Sequence, residues 1–457
     1  MTSPKPSPRL FGTDGIRGAF GEAPLDRATV TAVGYRLAQM LGAGGEGPSL
    51  ILGGDTRDST PEICAWLAAG LEAGGGEARF LGVVPTPAIA LLVRRHGADA
   101  GIAVSASHNP WPDNGIKLVS RDGFKWSRAD EAELEAGLEA AREHLASLAP
   151  SASARALTSD PSGATEYLDL LAATVPGERP LAGLRVLLDT AHGAASAYAA
   201  PLFERLGAAA TVLFDSPDGR NINRGCGSTE PQALARAMTE GDYHLGIAFD
   251  GDADRALLVD ETGEVRDGDA MLYLWASRLA ATGRLEPPKI VATTMSNLGL
   301  ERALARHGVG LERCDVGDRE VVETLRREGL RLGGEQSGHL VDLELSSTGD
   351  GLLTAIQLAA LVAANGEPLS RQLEGFRRYP QVLTNVRVRE KQDLASLSGV
   401  VAARQRVEAR LGDDGRLVLR YSGTEPLARV MIEGPEQTLV DELAEDLAGA
   451  IRSAIGA

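Results

Sequence analysis

Three segments of the chain repeat one pattern: an apolar strand, a polar loop, an amphipathic helix, a glycine and a second apolar strand. They read SLILGGDTRDSTPEICAWLAAGLEAGGGEARFLGVV, RVLLDTAHGAASAYAAPLFERLGAAATVLFD and KIVATTMSNLGLERALARHGVGLERCDVG. Each segment predicts a β-α-β unit, in which a crossover helix joins two parallel strands. The sequence therefore predicts three related α/β domains, each built on a largely parallel or mixed sheet.

Composition predicts where these domains end. A Ser/Ala/Pro-rich stretch follows the Glu- and Ala-rich helix that precedes residue 149, and it indicates a linker. A strand-turn-strand pattern predicts a second boundary near residue 256, and a Gly-Glu-Pro turn predicts a third at 366–368. Beyond that turn, alternating strands and helices indicate a smaller α+β unit. We predict domains at 1–152, 153–256, 257–367 and 377–457.

The charge balance and the cysteines limit the classes of function. The 46 Lys and Arg residues stand against 63 Asp and Glu, a net charge of −17, which argues against nucleic acid or an anionic membrane as a partner. An anionic ligand therefore needs a local basic pocket. Cys64, Cys226 and Cys314 are far apart, which excludes a disulfide framework and a zinc site and favours the cytoplasm. Neither a leader segment nor a membrane-spanning run of about 18 apolar residues is predicted.

A polar loop follows the apolar run that ends at residue 104. The stretch VSASHNPWPDNGIKL puts Ser107 beside His108 and brings Lys117 shortly after them. A serine hydroxyl is a poor nucleophile at neutral pH unless a base or an attached group activates it. No G-x-S-x-G elbow surrounds Ser107, which disfavours a lipase-type triad. The loop is either a nucleophile loop with partners elsewhere in the chain or an ordinary turn.

Three carboxylates alternate in FDGDADR, directly after an apolar strand: Asp250, Asp252 and Asp254. Carboxylates this close repel one another unless a cation neutralises them, and such oxygen ligands suit Mg²⁺ or Ca²⁺. A solvated acidic turn is the alternative. An EF-hand calcium loop is excluded because Arg255 stands at the sixth position, where that loop requires glycine. An aspartyl-phosphate phosphatase with Asp250 as nucleophile stays open.

Two further polar loops carry groups suited to a sugar phosphate. In GGEQSGH, Glu335 and Ser337 can bond sugar hydroxyls, and His339 can carry protons. In RYSGTEPLARV, two guanidinium groups and two hydroxyls surround a glycine, a set that matches a phosphate dianion. For each loop, a plain turn is the alternative.

Together with FGTDGIRG at 11–18, these four loops resemble the motif set of the α-D-phosphohexomutase superfamily, and within it the bacterial phosphoglucosamine mutase branch. The resemblance runs along essentially the whole chain, with the motifs in the same order. The segments GRNINRGCGST at 219–229 and DVGDREVVE at 315–323 are similar to that branch. The chain departs from the branch pattern at Glu320, where an aromatic residue is more frequent, and at Tyr421, where lysine is common.

The resemblance implies a heart-shaped, four-domain architecture in which each domain contributes one loop to a central cleft. It implies that Ser107 is phosphorylated and that one Mg²⁺ per chain is held by Ser107, Asp250, Asp252 and Asp254. The catalytic residues that it implies are Ser107, Arg17, His108, Lys117, Arg255 and His339, with Lys117 and His339 as alternatives for the general acid and base. The substrate-binding residues that it implies are Glu335, Ser337, Arg420, Ser422, Gly423, Thr424 and Arg429.

The implied reaction is an intramolecular phosphoryl transfer. Glucosamine 6-phosphate and glucosamine 1-phosphate interconvert through phospho-Ser107 and a hexosamine 1,6-bisphosphate, supplying UDP-N-acetylglucosamine and cell-wall precursor synthesis. The implied partner is a small hexosamine phosphate, and the chain is expected to be a monomer or a homodimer. Alternatives are a phosphomannomutase or phosphoglucomutase, a metal-dependent phosphatase, and a sugar-phosphate-binding protein without catalysis.

Overall fold

A computed structural model of the chain describes residues 10–42, 45, 47–147, 156–422 and 425–457. The chain forms two compact units. The first unit extends to residue 294 and includes 312–373; the second comprises 295–311 and 374–457. None of the described helices is both long enough and apolar enough to cross a membrane.

The first sheet lies in the N-terminal part of the first unit. Its strands are β1 (Ile16–Ala19), β2 (Ser49–Gly54), β3 (Glu77–Val83), β4 (Ala100–Val104) and β5 (Asp113–Ser120). Its helices are α1 (Arg27–Leu41), α2 (Thr60–Ala73), α3 (Thr86–His96), α4 (Arg128–Ala136) and α5 (Leu138–Ser147). The order is β1-β5-β4-β2-β3, with β2 parallel to β3 and β4, and β5 antiparallel to β4 and β1.

The second sheet repeats this arrangement. It is formed by β6 (Arg185–Asp189), β7 (Ala209–Leu213), β8 (Leu245–Phe249), β9 (Ala256–Val259) and β10 (Val265–Arg266). Its helices are α6 (Ser162–Ala173), α7 (Ala199–Arg205) and α8 (Gln232–Glu240). Strand β6 lies between two parallel strands, β7 and β8, as β2 does between β3 and β4, and β9 and β10 are antiparallel additions.

The third sheet is a shorter version of the same topology. Its strands are β11 (Lys289–Thr293), β12 (Gly310–Cys314), β13 (Leu332–Gly334) and β14 (Leu340–Asp342), in the order β12-β11-β13-β14. The helices of the first unit in this part of the chain are α9 (Gly268–Ala281), α11 (Asp318–Glu328), α12 (Gly351–Asn365) and α13 (Leu369–Gln372), and α10 (Leu298–Ala305) belongs to the second unit. Here β13 is parallel to β11 and antiparallel to β14.

Local sequence explains several of these elements. Strand β4 reads AGIAV and is buried along its whole length, as expected for a strand covered on both faces. Asp350 begins α12 by accepting a hydrogen bond from the Leu353 N–H. Helices α1 and α2 pack through small residues: a Cβ on Gly70 would lie 2.0 Å from the Thr31 carbonyl oxygen. The two helix backbones can approach this closely because glycine has no side chain. Such close packing suits a chain in which only 4% of the residues are aromatic.

The second unit contains the antiparallel sheet β15-β17-β16. Its elements are β15 (Gln381–Arg387), α14 (Ser398–Leu411), β16 (Arg416–Tyr421), β17 (Leu427–Glu433) and α15 (Gln437–Ile455). Both helices pack on one face of the sheet and share an apolar core with it. The Asn297 side chain joins the 295–311 segment to this unit: it donates to the Tyr379 carbonyl at 3.0 Å and accepts from the Tyr379 N–H at 2.8 Å.

The structure confirms the predicted fold class: three related α/β parts with mixed sheets and a smaller α+β part. The repeated strand-loop-helix-strand pattern predicts the shared topology, because each parallel pair of strands needs its own crossover helix. One detail differs from the sequence-based division of the chain. The sequence places residues 257–266 in the third domain, whereas in the structure β9 pairs with β8 and β10 pairs with β9, so both belong to the second sheet.

Candidate active site

The predicted loops of the first unit begin where sheet strands end. Ser107 follows β4, Asp250 follows β8, and Glu335 follows β13. Each of the three strands lies between one parallel and one antiparallel neighbour: β4 between β2 and β5, β8 between β6 and β9, and β13 between β11 and β14. Polar groups concentrate at such ends because ligands bind outside the carboxyl ends of parallel strands.

Ser107 is buried in a backbone conformation that is unusual for a residue with a side chain. Its φ is 51°, in the left-handed region, and its side chain turns toward the aspartate cluster. Its Oγ donates a 2.6 Å hydrogen bond to Asp250 Oδ2 and lies 3.3 Å from His108 Nδ1. Its N–H donates to Ser105 Oγ at 2.9 Å. The serine is therefore directed at the acidic loop of the second sheet.

Asp250, Asp252 and Asp254 converge as predicted. One carboxylate oxygen of each lies within 4.8 Å of the others, and all three residues are buried. Within the described part of the chain, Asp252 Oδ1 and Asp254 Oδ1 are buried and accept no hydrogen bond. Buried carboxylate oxygens need a cation or a donor, and oxygen ligands of this type suit a hard divalent ion. The cluster therefore fits a metal ion such as Mg²⁺.

Lys117 is the cation that neutralises part of this cluster. Its Nζ bonds Asp252 Oδ2 at 2.6 Å and Asp254 Oδ2 at 3.0 Å, so the two Oδ1 atoms stay open. Burial works against the charge of Lys117, but the two carboxylates raise its pKa above the usual range. Two of the three ammonium donors are used, which leaves one for a substrate oxygen.

The aspartates respond differently to their surroundings. Burial, together with the charges of Asp254 and Asp252, raises the pKa of Asp250 well above its usual range. Burial would also raise the pKa of Asp254, but Lys117 and His339 hold it well below the usual range. The cluster therefore combines one carboxyl that favours the proton with one that stays ionised.

A cavity of about 250 Å³ opens beside Ser107. Its lining brings together seven of the residues predicted from sequence and adds others that were not predicted. The predicted residues are Arg17, Ser107, Lys117, Asp254, Arg255, Glu335 and His339. The cavity thus has basic groups for a phosphate and acidic groups for hydroxyls or an amine.

Arg17 contacts the serine loop, and His108 is part of it. The Arg17 guanidinium donates to the Ala106 carbonyl at 2.9 Å and to Asn109 Oδ1 at 3.0 Å, so it also stabilises the loop. Burial and the nearby charges of Arg255 and Arg17 lower the pKa of His108. A neutral imidazole beside the Ser107 hydroxyl is therefore favoured.

Glu335 and His339 are both held by backbone groups. Glu335 Oε1 accepts from the Gly317 N–H at 3.1 Å, and burial raises its pKa. Burial works to lower the pKa of His339, but the Asp254 carboxylate raises it. His339 Nε2 accepts from the Gly349 N–H at 3.2 Å, which places the proton of the neutral ring on Nδ1, toward Asp254.

Not every predicted residue joins this cavity. Ser337 is exposed and does not belong to the described lining. The predicted phosphate loop belongs to the second unit, where Arg420 and Arg429 face each other across β16 and β17. Ser422 Oγ lies 3.4 Å from the Arg429 guanidinium. Gly423 and Thr424 lie outside the described residues.

Several residues of the site were missed by reasoning from sequence. Asp14, Thr13 and Asp318 line the cavity. Lys125 joins them by bonding Asp318 Oδ1 at 3.0 Å and the Thr13 carbonyl at 2.9 Å. Asp14 and Asp318 lie in the motifs FGTDGIRG and DVGDREVVE, so the sequence indicated that they could be functional. No motif of the sequence analysis contains Lys125.

Comparison with known proteins identifies the family of the chain. Family models for the phosphoglucomutase/phosphomannomutase family match four consecutive segments: alpha/beta/alpha domain I at 8–145, domain II at 165–263, domain III at 267–379 and the C-terminal domain at 383–450. The chain belongs to this family. The matched segments leave only short stretches between them, so the family covers almost the whole chain.

Curated members of the family include full-length relatives. A phosphoglucosamine mutase of Koribacter versatilis is 43% identical, with 100% of this chain and 99% of that protein aligned. A phosphoglucosamine mutase of Alkalilimnicola ehrlichii is 44% identical, with 97% of each chain aligned.

Solved structures support the fold. A phosphoglucomutase/phosphomannomutase family protein of Burkholderia thailandensis has a TM-score of 0.80 at 24% identity and covers 98% of this chain and 97% of its own. An Aspergillus fumigatus N-acetylphosphoglucosamine mutase, solved with GlcNAc-6P and magnesium, has a TM-score of 0.68 at 20% identity and covers 97% and 96%.

Proposed function

We propose that this family member is a phosphoglucosamine mutase, an isomerase that interconverts glucosamine 6-phosphate and glucosamine 1-phosphate. The observation that carries the proposal is the 2.6 Å contact between Ser107 Oγ and Asp250 Oδ2 at the mouth of a cavity with both basic and acidic walls. The full-length phosphoglucosamine mutase relatives support the choice of sugar.

In the proposed mechanism, Ser107 Oγ releases and later recovers a phosphoryl group. In the first half, the bond between phosphorus and Ser107 Oγ breaks while a bond to the C1 hydroxyl oxygen of glucosamine 6-phosphate forms. The hydroxyl proton leaves the sugar, and Ser107 Oγ gains a proton. The product is a hexosamine 1,6-bisphosphate, which must turn over in the cavity. In the second half, Ser107 Oγ loses its proton and bonds the phosphorus of the 6-phosphate while the bond from phosphorus to the C6 oxygen breaks. The C6 oxygen gains a proton, glucosamine 1-phosphate leaves, and phospho-Ser107 is restored.

The positive groups around the serine stabilise charge on the transferred group. Such a transfer has a loose transition state with charge spread over the phosphoryl oxygens, so positioning and electrostatics supply most of the rate. Arg17 and Arg255 line the cavity, and their positive charges can stabilise the negative charge on the phosphoryl oxygens. Asp250, Asp252 and Asp254, with an oxygen of Ser107 or its phosphate, would hold the metal ion. A bound Mg²⁺ would draw further charge from the phosphoryl oxygens.

We assign proton donation to Lys117 rather than His339, because the two neighbouring carboxylates keep its ammonium group protonated. Lys117 lines the cavity and keeps one ammonium donor for a substrate oxygen. The Nε2 of His339 is engaged by the Gly349 N–H, and its Nδ1 faces Asp254. His339 therefore holds Asp254 in place. Glu335 would bond the sugar, and Ser337 would approach it from the exposed part of the same loop.

We further propose that Arg420, Ser422, Gly423, Thr424 and Arg429 bind the phosphate that is not reacting. We also propose a cytoplasmic enzyme, and a domain division near residues 152, 266 and 367–377. The second of these boundaries is moved from 256 because β9 and β10 pair with the second sheet.

The experiment that tests the function combines intact mass with kinetics. The purified enzyme should contain a species about 80 daltons heavier, which is the mass added by a phosphoryl group, and the peptide should map to Ser107. Ser107→Ala should lose both the phosphopeptide and isomerisation. Ser120→Ala, which removes a hydroxyl at the end of β5, should keep both.

Two results would reject the proposal. Net phosphate release that survives in Ser107→Ala would favour a phosphatase with Asp250 as nucleophile. A higher kcat/KM for glucose or mannose phosphates than for glucosamine 6-phosphate would keep the chemistry but reassign the sugar.

A further inference from the structure

The backbone of the serine loop is in a conformation that the surrounding structure must maintain. Ser107 has a φ of 51°. Residues with side chains rarely adopt this region, so the surrounding contacts must offset the backbone strain. The Ser107 hydroxyl points at Asp250 only while this conformation persists.

Two side chains hold the loop through the same pair of carbonyl oxygens. Asn223 Nδ2 donates to the Ser107 carbonyl at 2.9 Å and to the Asn109 carbonyl at 3.1 Å. The Arg57 guanidinium donates to the same two oxygens at 3.3 and 2.6 Å. The carbonyls on both sides of His108 are therefore fixed by donors from outside the loop.

Asn223 belongs to the GRNINRGCGST segment, for which the proposed mechanism has no role. Its own φ is 59°, a conformation that asparagine tolerates better than most residues, and its N–H donates to the Ala191 carbonyl at 2.9 Å. A Cβ on Gly251 would lie 2.6 Å from the Ser107 carbonyl oxygen and 2.8 Å from Asn223 Nδ2. The acidic loop of the second sheet thus packs directly against the hydrogen bonds that hold the serine.

The two donors differ in how cleanly they can be removed. Arg57 forms a buried ion pair with Asp55, so its loss would leave a buried carboxylate without its partner. Asn223 is neutral, and it is not among the described residues that line the cavity. Its removal should change the position of Ser107 without changing the contacts that bind sugar.

We propose that Asn223 is a positioning residue that holds Ser107 in the geometry required for phosphoryl transfer. This inference rests on the proposed function, in which Ser107 carries the phosphoryl group. A displacement of about 1 Å in a reacting group costs about 100-fold in rate. The loss of Asn223 should therefore lower kcat and leave KM nearly unchanged.

Two variants and one control test this inference. Asn223→Gly deletes the amide but tolerates the left-handed conformation. Asn223→Asp keeps the shape and removes both N–H donors. Asn221→Ala is the matched control: Asn221 accepts from the Asp218 N–H and donates to the Ser216 carbonyl, both at 3.0 Å, within the same connection.

Both Asn223 variants should lower kcat about 100-fold with KM within about twofold of wild type. The Asn221→Ala variant should keep kcat within about threefold. Hydrogen exchange of the 104–112 peptide, measured on unphosphorylated enzyme, should become faster in the Asn223 variants and stay unchanged in the control.

A kcat within about threefold of wild type in Asn223→Gly, or an equal loss in Asn221→Ala, would overturn the inference. If wild type shows neither phosphoserine nor isomerisation, the proposed function fails by itself. Hydrogen exchange then tests by itself whether Asn223 holds the serine loop. Unchanged exchange at 104–112 in Asn223→Gly overturns this role, and faster exchange supports it.

Discussion

The buried ion pair between Glu131 and Arg319 should stabilise the contact between helix α4, near the first sheet, and helix α11, near the third sheet. The Arg319 guanidinium donates two hydrogen bonds to the Glu131 carboxylate, one of them 3.2 Å long. The side chains are only 6% and 8% exposed for Arg319 and Glu131. Within the described chain, Arg319 Nε is buried and has no hydrogen-bond partner, so Glu131 provides most of its compensation.

Glu131→Gln should lower the free energy of unfolding by about 3 kcal/mol, the lower end of the cost of breaking a buried pair, because the amide oxygen can still accept one hydrogen bond. Glu133→Gln on the same helix is the control. Glu133 is 66% exposed and lies 4.0 Å from Arg36, so its change should cost less than about 1 kcal/mol. The double variant Glu131→Leu/Arg319→Met should recover most of the loss, since it leaves no unpaired charge.

The assay is urea unfolding followed by tryptophan fluorescence, because buried Trp126 precedes α4 closely. The same variants link stability to the site. Asp318 and Gly317 come immediately before Arg319, and the Gly317 N–H holds Glu335. Glu131→Gln should therefore also raise KM. Two results would refute the reasoning: a stability loss below about 1 kcal/mol in Glu131→Gln, or a double variant that is less stable than Glu131→Gln.

Three further predictions concern charge. Burial raises the pKa of Asp350 to about 6, above its unfolded value of about 3.9, so the stability that its proton supplies is present below pH 4 and lost as pH rises through 6. Asp350→Asn should therefore gain up to about 3 kcal/mol relative to wild type between pH 4 and 8 in urea unfolding; a pH-independent difference contradicts this. Lys117→Met should abolish isomerisation yet tighten Mn²⁺ binding about tenfold by calorimetry, because it removes a cation beside Asp252 and Asp254; weaker binding would be contrary. Arg429→Ala should weaken sugar-phosphate binding far more than metal binding, and equal losses would speak against the anion role.

The fold was largely predictable because its determinants are local. The period of apolar residues and the glycines after each helix indicate β-α-β units wherever they occur in the chain. The same holds for the chemistry of the loops: three alternating aspartates after a strand repel one another unless a cation neutralises them or water solvates them. The division near residue 256 was less predictable, because pairing of β9 with β8 depends on a long-range register rather than on a local pattern.

The sequence by itself determined which residue types stand at the ends of the strands, and therefore that a hydroxyl, a triple carboxylate and a mixed acid-base loop would be presented there. Only the tertiary structure decided which of these groups meet. Three contacts show this: Lys117 bonds Asp252 and Asp254, His339 faces Asp254, and Asn223 donates to the Ser107 carbonyl. The residues that they join are between 85 and 137 positions apart in the chain. No periodicity spans such separations, because these contacts form only where parts of the chain that belong to different sheets pack together.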